Sequence, residues 1–346
     1  MRVAFILPPR EVFAPDAAGA ISMVVQRLCA ATPHSAVFGL ARAATYPGIA
    51  YHGVANGFAL IRSLRRLQPE FIDVHQQPRL ALTLSLLCPR SKILLFLHND
   101  PLSMRGLKSA AGRRLMLARM HRVVCVSAYL QARYMTNMSG RAPDILPNPL
   151  TLAELPAPAA NRDNTILFAG RIVTDKAPDV FAAACAMALP KLPGWQAAMI
   201  GGDRFGPASP QTAFVDQVRG AAKAAGISFA GSRPHYEVLA AMACAAIVVV
   251  PSRWPEPFGL TALEAIASGA ALIATPQGGL PEVAGRVAIY VKRGDATALA
   301  EAILQLAQDE PRRLALAEAG RQRARQFDTA IIAAQLENLR IAPALL

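Results

Sequence analysis

Short apolar runs alternate with helical patterns along the whole of this 346-residue chain, and that alternation leaves few folds open. In the first half the runs at residues 3–7, 36–40, 71–75, 93–98 and 123–127 suit strands. The stretches between them, at 20–31, 56–67, 79–87, 106–119 and 128–136, carry helical spacing. The second half repeats the alternation. Strands are expected at 165–169, 196–200, 228–230, 247–250, 272–274 and 287–291. Helices are expected at 176–188, 211–225, 235–243, 259–268, 295–308, 311–326 and 328–340. The strand runs are apolar throughout rather than at every second residue, which suits sheets covered on both faces. Strand, helix and strand in series make βαβ units and mostly parallel sheets. The fold class is therefore α/β. A Pro- and Ala-rich stretch at 153–160, followed by a polar run at 161–164, reads as a junction between domains. The expected division is 1–150 and 151–330, with a final helical stretch, 331–346, expected to return to the first domain.

The most informative local string is Pro251-Ser-Arg-Trp-Pro-Glu256-Pro-Phe-Gly-Leu-Thr-Ala-Leu-Glu264-Ala. The apolar run Ala245 to Val250 enters it, and a helical pattern leaves it. Glu256 falls in the loop and Glu264 on the helix that follows. Ligands of open α/β sheets bind past the carboxyl ends of strands. The amides of Phe258, Gly259 and Leu260 stand at a helix start, where they can hold an anion. A second such mouth is Gly170-Arg171 with Lys176 five residues on. An Arg fork and a Lys point charge there can clamp a diphosphate, or form an ordinary surface pair. Gly201-Gly202-Asp203 ends another strand and gives close backbone access. In Gln277-Gly278-Gly279-Leu280-Pro281-Glu282, Pro281 suits a first helical position. Gly19, in Asp16-Ala-Ala-Gly-Ala-Ile21, is a turn glycine or a place where backbone approaches a phosphate or acceptor. His98 is either a capped strand end or a functional group.

These strings carry a resemblance. Glu256-Pro-Phe-Gly-Leu-(three residues)-Glu264-Ala is similar to the Glu-(seven residues)-Glu motif of the retaining family 4 glycosyltransferases. That family has the GT-B fold, two Rossmann-like domains facing a central cleft. The resemblance implies transfer of a hexosyl-type sugar from a nucleotide diphosphate sugar to a hydroxyl of a glycan or glycolipid. It implies no cofactor and no required metal, the nucleotide sugar being a donor substrate. By the same resemblance Glu264 would hold the ribose hydroxyls. Glu256 would hold donor-sugar hydroxyls with the Phe258, Gly259 and Leu260 amides. Arg171 and Lys176 resemble the family's Gly-Arg-(four residues)-Lys-Gly motif, with Ala177 in place of the last glycine. His98 would lie near the donor sugar. Gly19 resembles the glycine-rich loop, with one glycine where two are common. Asn148, in Pro-Asn-Pro, resembles a Pro-Asn-Gly-like element, and Gly278-Gly279 a Gly-Gly-(one residue)-Pro-Glu element. Gly170 and Gly202 would give the nucleotide backbone access.

Other classes fit less well. At 53% hydrophobic content the chain is not disordered. No apolar stretch reaches the roughly 20 residues that span a bilayer, and the start is not that of a signal peptide, so a cytoplasmic protein is expected. The five cysteines are scattered without metal-ligand spacing and are expected to pack as free thiols. The net charge of +13 is lopsided: residues 1–160 hold 18 Lys and Arg against 7 Asp and Glu. Arg105, Lys108, Arg113, Arg114, Arg119 and Arg122 concentrate it. They suit either an anionic membrane, which would make the protein peripheral at the inner face, or a solvated helix side. Nucleic acid is not expected, since no zinc finger or base-stacking strand is recognisable. Two alternatives stay open: the same chemistry on a small soluble metabolite, or a non-catalytic nucleotide-sugar-binding partner protein.

Overall fold

The computed structural model describes residues 2–9, 11–15, 19–41, 45–159, 161–203 and 211–343. Asp16, Ala17 and Ala18 of the loop before Gly19, Ala160 of the expected junction and the last three residues lie outside the described residues. The chain divides into two units, one of Met1–Thr151 with Gln326–Leu346 and one of Leu152–Arg325.

The first unit runs β1 (Val3–Ile6), α1 (Ala20–Ala30), β2 (Ser35–Leu40), β3 (Tyr51–Val54), α2 (Gly57–Leu67), β4 (Phe71–His75), α3 (Pro78–Leu87), β5 (Lys92–Leu97), α4 (Ala110–Arg119), β6 (Arg122–Cys125), α5 (Ala128–Tyr134) and β7 (Asp144–Ile145). Its parallel sheet has the order β3-β2-β1-β4-β5-β6-β7. Strands β1 and β4 to β6 are buried from end to end except at Lys92, which is why they read as continuous apolar runs. The two edge strands, β3 and β7, were not expected from the sequence. Tyr51-His-Gly-Val54 and Asp144-Ile145 are half exposed and carry no apolar run to betray them. The helix expected at 106–119 begins only at Ala110. Gly106 takes a φ of +96°, and Ser109 caps the helix by accepting from the Gly112 amide.

The second unit runs β8 (Asp163–Ala169), α6 (Pro178–Ala188), β9 (Gln196–Ile200), α7 (Ala213–Ala224), β10 (Ser228–Gly231), α8 (His235–Cys244), β11 (Ala245–Val250), α9 (Leu260–Ala267), β12 (Ala271–Ala274), α10 (Leu280–Ala284), β13 (Ala288–Tyr290), α11 (Ala296–Gln308) and α12 (Glu310–Ala324). Its parallel sheet has the order β10-β9-β8-β11-β12-β13. The core lies where Phe168, Phe181, Met199, Ile247 and Ile303 meet between sheet and helices. The last helix, α13 (Thr329–Ile341), belongs to the first unit. Its Arg340 is buried and pairs with Asp73 in the middle of β4.

In each unit the chain steps outward in one direction and then crosses back. The reversal falls between β1 and β4 in the first sheet and between β8 and β11 in the second. Such a switch point opens a crevice at the carboxyl ends of the strands, where ligands of open α/β sheets bind. Four of the five cysteines are buried, but Cys244, the last residue of α8, is exposed. It sits at the helix end, where its side chain is no longer held to the inward face.

Candidate functional site

Most of the residues singled out in the sequence gather at the second switch point. Gly170 follows β8, and the Pro251–Glu256 loop follows β11, the neighbouring strand. After Gly170 the chain turns through a 3-10 segment, Thr174–Lys176, into α6. Arg253 fastens the two loops together. Its guanidinium makes a two-pronged bond to the Asp179 carboxylate, at 2.8 and 2.6 Å. The Arg253 and Trp254 amides both donate to the Asp175 carbonyl.

Within this frame Lys176 and Glu256 touch. Lys176 Nζ lies 2.6 Å from Glu256 Oε1, and the Ser252 hydroxyl donates to the same oxygen at 2.5 Å. The Glu256 side chain is 8% exposed. Its backbone is held too, since Gly279 N–H donates to the Glu256 carbonyl at 2.7 Å. A side chain at Gly278, whose φ is +61°, would overlap that carbonyl oxygen, so glycine is required there. Thr275 Oγ1 donates to the Ser252 carbonyl at 2.7 Å and completes the support.

Helix α9 opens beside this pair. Its N-cap is Gly259, at φ +103°, and among the described residues no side chain caps the helix. The Phe258 ring is buried, so that residue offers its backbone only. One turn into the helix, Glu264 is buried and accepts from or pairs with His235 Nε2 at 2.9 Å. On the other side of β8, Gly170 N–H donates to Ile200 O and Ile172 N–H to Gly202 O, which packs the ends of β8 and β9 tightly. Arg171 is exposed beside them. One edge thus carries two cations, two carboxylates and an uncapped helix start. Such a set can hold a diphosphate by charge and vicinal hydroxyls by carboxylate acceptance.

Ala177, where the family pattern has glycine, takes the left-handed conformation that glycine favours, φ +54° and ψ +47°. Its Cβ is buried.

Gly19 and His98 belong to the first unit, Gly19 just before α1 and His98 just after β5. Gly19 is the N-cap of α1 and gives no side-chain cap. The Glu11 carboxylate takes that role: Ser22 N–H donates to Glu11 Oε2 at 3.2 Å, and a Cβ at Gly19 would strike the same carboxylate. The helix start proposed for a phosphate therefore already carries a negative group. His98 follows β5 and is buried, with its Nε2 2.8 Å from Nδ1 of His75. Burial lowers the His98 pKa to about 3. Asn148 is buried near the end of the first unit's main segment.

Four supporting residues escaped the sequence reading: Ser252, Arg253, His235 and His75. Only His235 left a local sign, as the first residue of a helical pattern after Arg233-Pro234. The others depend on contacts across 4, 74 and 23 positions.

Comparison with known proteins decides the family of the second unit. Residues 156–323 match the family model described as Glycosyl transferases group 1. The second unit thus carries the group 1 glycosyltransferase domain. It is 36% identical over 178 residues to a D-inositol 3-phosphate glycosyltransferase from Corynebacterium aurimucosum, a match to 50% of this chain and 42% of that protein. The chain thus matches less than half the length of that curated relative. Solved structures cover nearly all of it. The sucrose-phosphate synthase of Thermosynechococcus elongatus aligns with a TM-score of 0.79, 20% identity and 98% of both chains. Anabaena HepE in complex with UDP-glucose aligns with a TM-score of 0.76, 16% identity and 98% of both chains. With its two parallel-sheet α/β units, the chain has the GT-B fold.

The six-residue basic run reads differently in three dimensions. Arg113 is buried and donates to the Leu107, Lys108 and Thr136 carbonyls. Arg122 is buried beside Asp144 and donates to the Leu339, Ala342 and Pro343 carbonyls. These two cations hold the first unit together and cannot meet a partner. Arg105, Lys108, Arg114 and Arg119 remain exposed.

Proposed function

We propose that this chain is a retaining glycosyltransferase that moves a hexosyl-type sugar from a nucleotide diphosphate sugar to a hydroxyl of a glycan or glycolipid, without a required metal. The observation that carries this reading is the Lys176–Glu256 contact beside the uncapped start of α9, at the second unit's switch point. The departing diphosphate gains negative charge as the sugar leaves. Arg171, Lys176 and the α9 amides oppose that charge from fixed positions, the kind of stabilisation that lowers a barrier most. Glu264, held by His235, accepts from the ribose hydroxyls. Glu256 accepts from the sugar. Gly170 and Gly202 let the nucleotide approach the backbone, and His98 is proposed as a hydrogen-bonding group for the sugar. That a structurally similar protein was solved with UDP-glucose supports a nucleotide-sugar donor.

The experiment is release of nucleoside diphosphate from a panel of nucleotide sugars, with and without chelator, followed by the anomeric configuration of the product. Turnover in chelator with the donor's configuration retained supports the reading. Binding without any turnover or donor hydrolysis would mark a non-catalytic nucleotide-sugar protein. Loss in chelator, restored by a divalent ion, would overturn the metal-free part.

The first unit's charge favours an anionic, cytoplasm-facing membrane as the place of work. From β3 to β6 the chain crosses its sheet in one direction, so right-handed connections put α2, α3 and α4 on one face. None of these three helices contains Asp or Glu. Arg62, Arg65, Arg66, Arg79, Arg114 and Arg119 are exposed on them, together with Phe58, Leu86 and Leu115. Cations around exposed apolar side chains fit an anionic lipid surface. Among the described residues no helix is long and apolar enough to cross a membrane.

A further inference from the structure

We propose that His75 is a positioning residue that locks His98 in one tautomer, with its proton on Nδ1, so that His98 acts as a neutral hydrogen-bond donor and not as a proton-transfer group. The tautomer follows from geometry inside the first unit; only the word donor, applied to a bound ligand, rests on the function proposed above.

His75 ends β4 and pairs in register with Phe96 of β5, which places His98 two residues past that pair. His75 Nδ1 and His98 Nε2 are 2.8 Å apart. The two rings lie within 23° of each other, at a centroid distance of 5.1 Å. His75 is packed against Phe96 at 4.6 Å and Phe5 at 6.2 Å, and its own Nε2 is buried with no hydrogen-bond partner among the described residues. A neutral imidazole has one N–H and one lone pair. If His75 carried its proton on Nε2, a donor would be stranded in an aromatic core, and orphaned buried N–H groups are rare and costly. With the proton on Nδ1, His75 donates to His98 Nε2. His98 Nε2 is then an acceptor, and the His98 proton sits on Nδ1.

The same geometry resists protonation. A second proton on His98 would occupy Nε2, so His75 would have to shift its own proton to the unpartnered Nε2. The surroundings add to this. Arg340 lies with its guanidinium 5.4 Å over the Phe5 ring and pairs with Asp73. Burial first, then His98 and Arg340, lower the His75 pKa well below its ordinary value. The backbone of His98 is held as well. Its N–H donates to Gln76 Oε1 at 2.7 Å, and Gln76 itself sits in the left-handed region at φ +59°. Both the ring and its chain are fixed, as a group must be if it is to meet a ligand oxygen without reorganising.

The test is two-bond nitrogen–proton correlation NMR on the full chain labelled with ¹⁵N-histidine, with His98→Gln and His75→Phe used for assignment. Both rings are expected as Nδ1-protonated tautomers that do not change between about pH 5 and about pH 8. His98 found with its proton on Nε2, or titrating within that range, would overturn the proposal in the wild-type protein with no variant needed. His75→Phe keeps the stack on Phe96 but removes the donor. It is expected to give His98 a mixture of tautomers and to lower kcat about tenfold with KM for the donor little changed, the loss of one well-placed hydrogen bond. A mixed tautomer with unchanged kcat would show that the lock has no catalytic consequence. A correct tautomer in a protein with no transferase activity would leave the lock standing and defeat the function proposed above instead.

Discussion

Lys176 Nζ and Glu256 Oε1 are 2.6 Å apart, so the cation proposed for the diphosphate and the carboxylate proposed for the sugar form one pair. Ser252 donates to the same carboxylate oxygen, which keeps the pair in place. Lys176→Ala is therefore expected to cut kcat by about 10²–10³, the usual loss when a preorganised charge stabiliser is removed. Near-normal turnover of that variant would end the clamp assignment.

Glu256→Ala is expected to weaken binding of the free nucleoside diphosphate as well as the sugar-bearing donor, because Lys176 loses its anchor. From sequence alone Glu256 would affect the sugar only. Calorimetry with both ligands separates the two: an unchanged diphosphate affinity would mean that Lys176 keeps its place without Glu256.

Glu264→Ala is expected to lower affinity for the nucleoside diphosphate directly, with His235→Ala producing a smaller loss in the same direction. His235 contacts the Glu264 carboxylate at 2.9 Å and so acts through it. A His235 variant that binds as tightly as wild type while Glu264→Ala fails would confine the role to the carboxylate.

Ala177 offers a test of backbone strain. Its φ of +54° costs about 1–2 kcal/mol in an L-residue. Ala177→Gly relieves that but loses a buried methyl, worth about 0.8 kcal/mol, and frees the unfolded chain by about 0.4–1 kcal/mol. The net is expected near zero. Ala177→Val, with a β-branched side chain in a left-handed position, is expected to cost about 1–3 kcal/mol in urea unfolding. Equal stability of the two variants would contradict the local conformation.

Acid should destabilise the protein through the buried histidines. His98 titrates at about 3 in the folded chain and near its ordinary value of 6.5 once unfolded. Between those values the unfolded chain binds a proton that the folded chain refuses, so stability falls as pH drops below about 6.5. Removing the group by His98→Gln is expected to make the slope shallower by about 1.4 kcal/mol per pH unit in that window. An unchanged slope would mean that His98 is not neutral in the folded state.

For the membrane reading, reversal of Arg62, Arg66, Arg114 and Arg119 to Glu is expected to abolish co-sedimentation with anionic vesicles while nucleotide binding survives. Wild-type binding should weaken as salt rises. Arg113→Glu is expected to unfold the first unit instead, since Arg113 is internal. Indifference of the wild type to anionic vesicles at low salt would leave the basic face merely solvated.

The sequence by itself determined the class of fold and where most of the second unit's candidate residues fall on strand, loop and helix. Inner strands of a doubly covered sheet must be apolar throughout, and helix starts and glycine turns are local, so β8, β11, Gly170, Glu256, Gly259 and Glu264 could all be placed from their neighbours in the chain. The edge strands β3 and β7 were illegible because an edge needs no apolar run. What only the tertiary structure decided were partnerships between distant positions: Lys176 with Glu256, His235 with Glu264, His75 with His98. It also decided which cations of the basic run face outward. Arg113 and Arg122 look like their neighbours in sequence, and only the carbonyl groups that converge on them from elsewhere in the fold make it favourable to bury them.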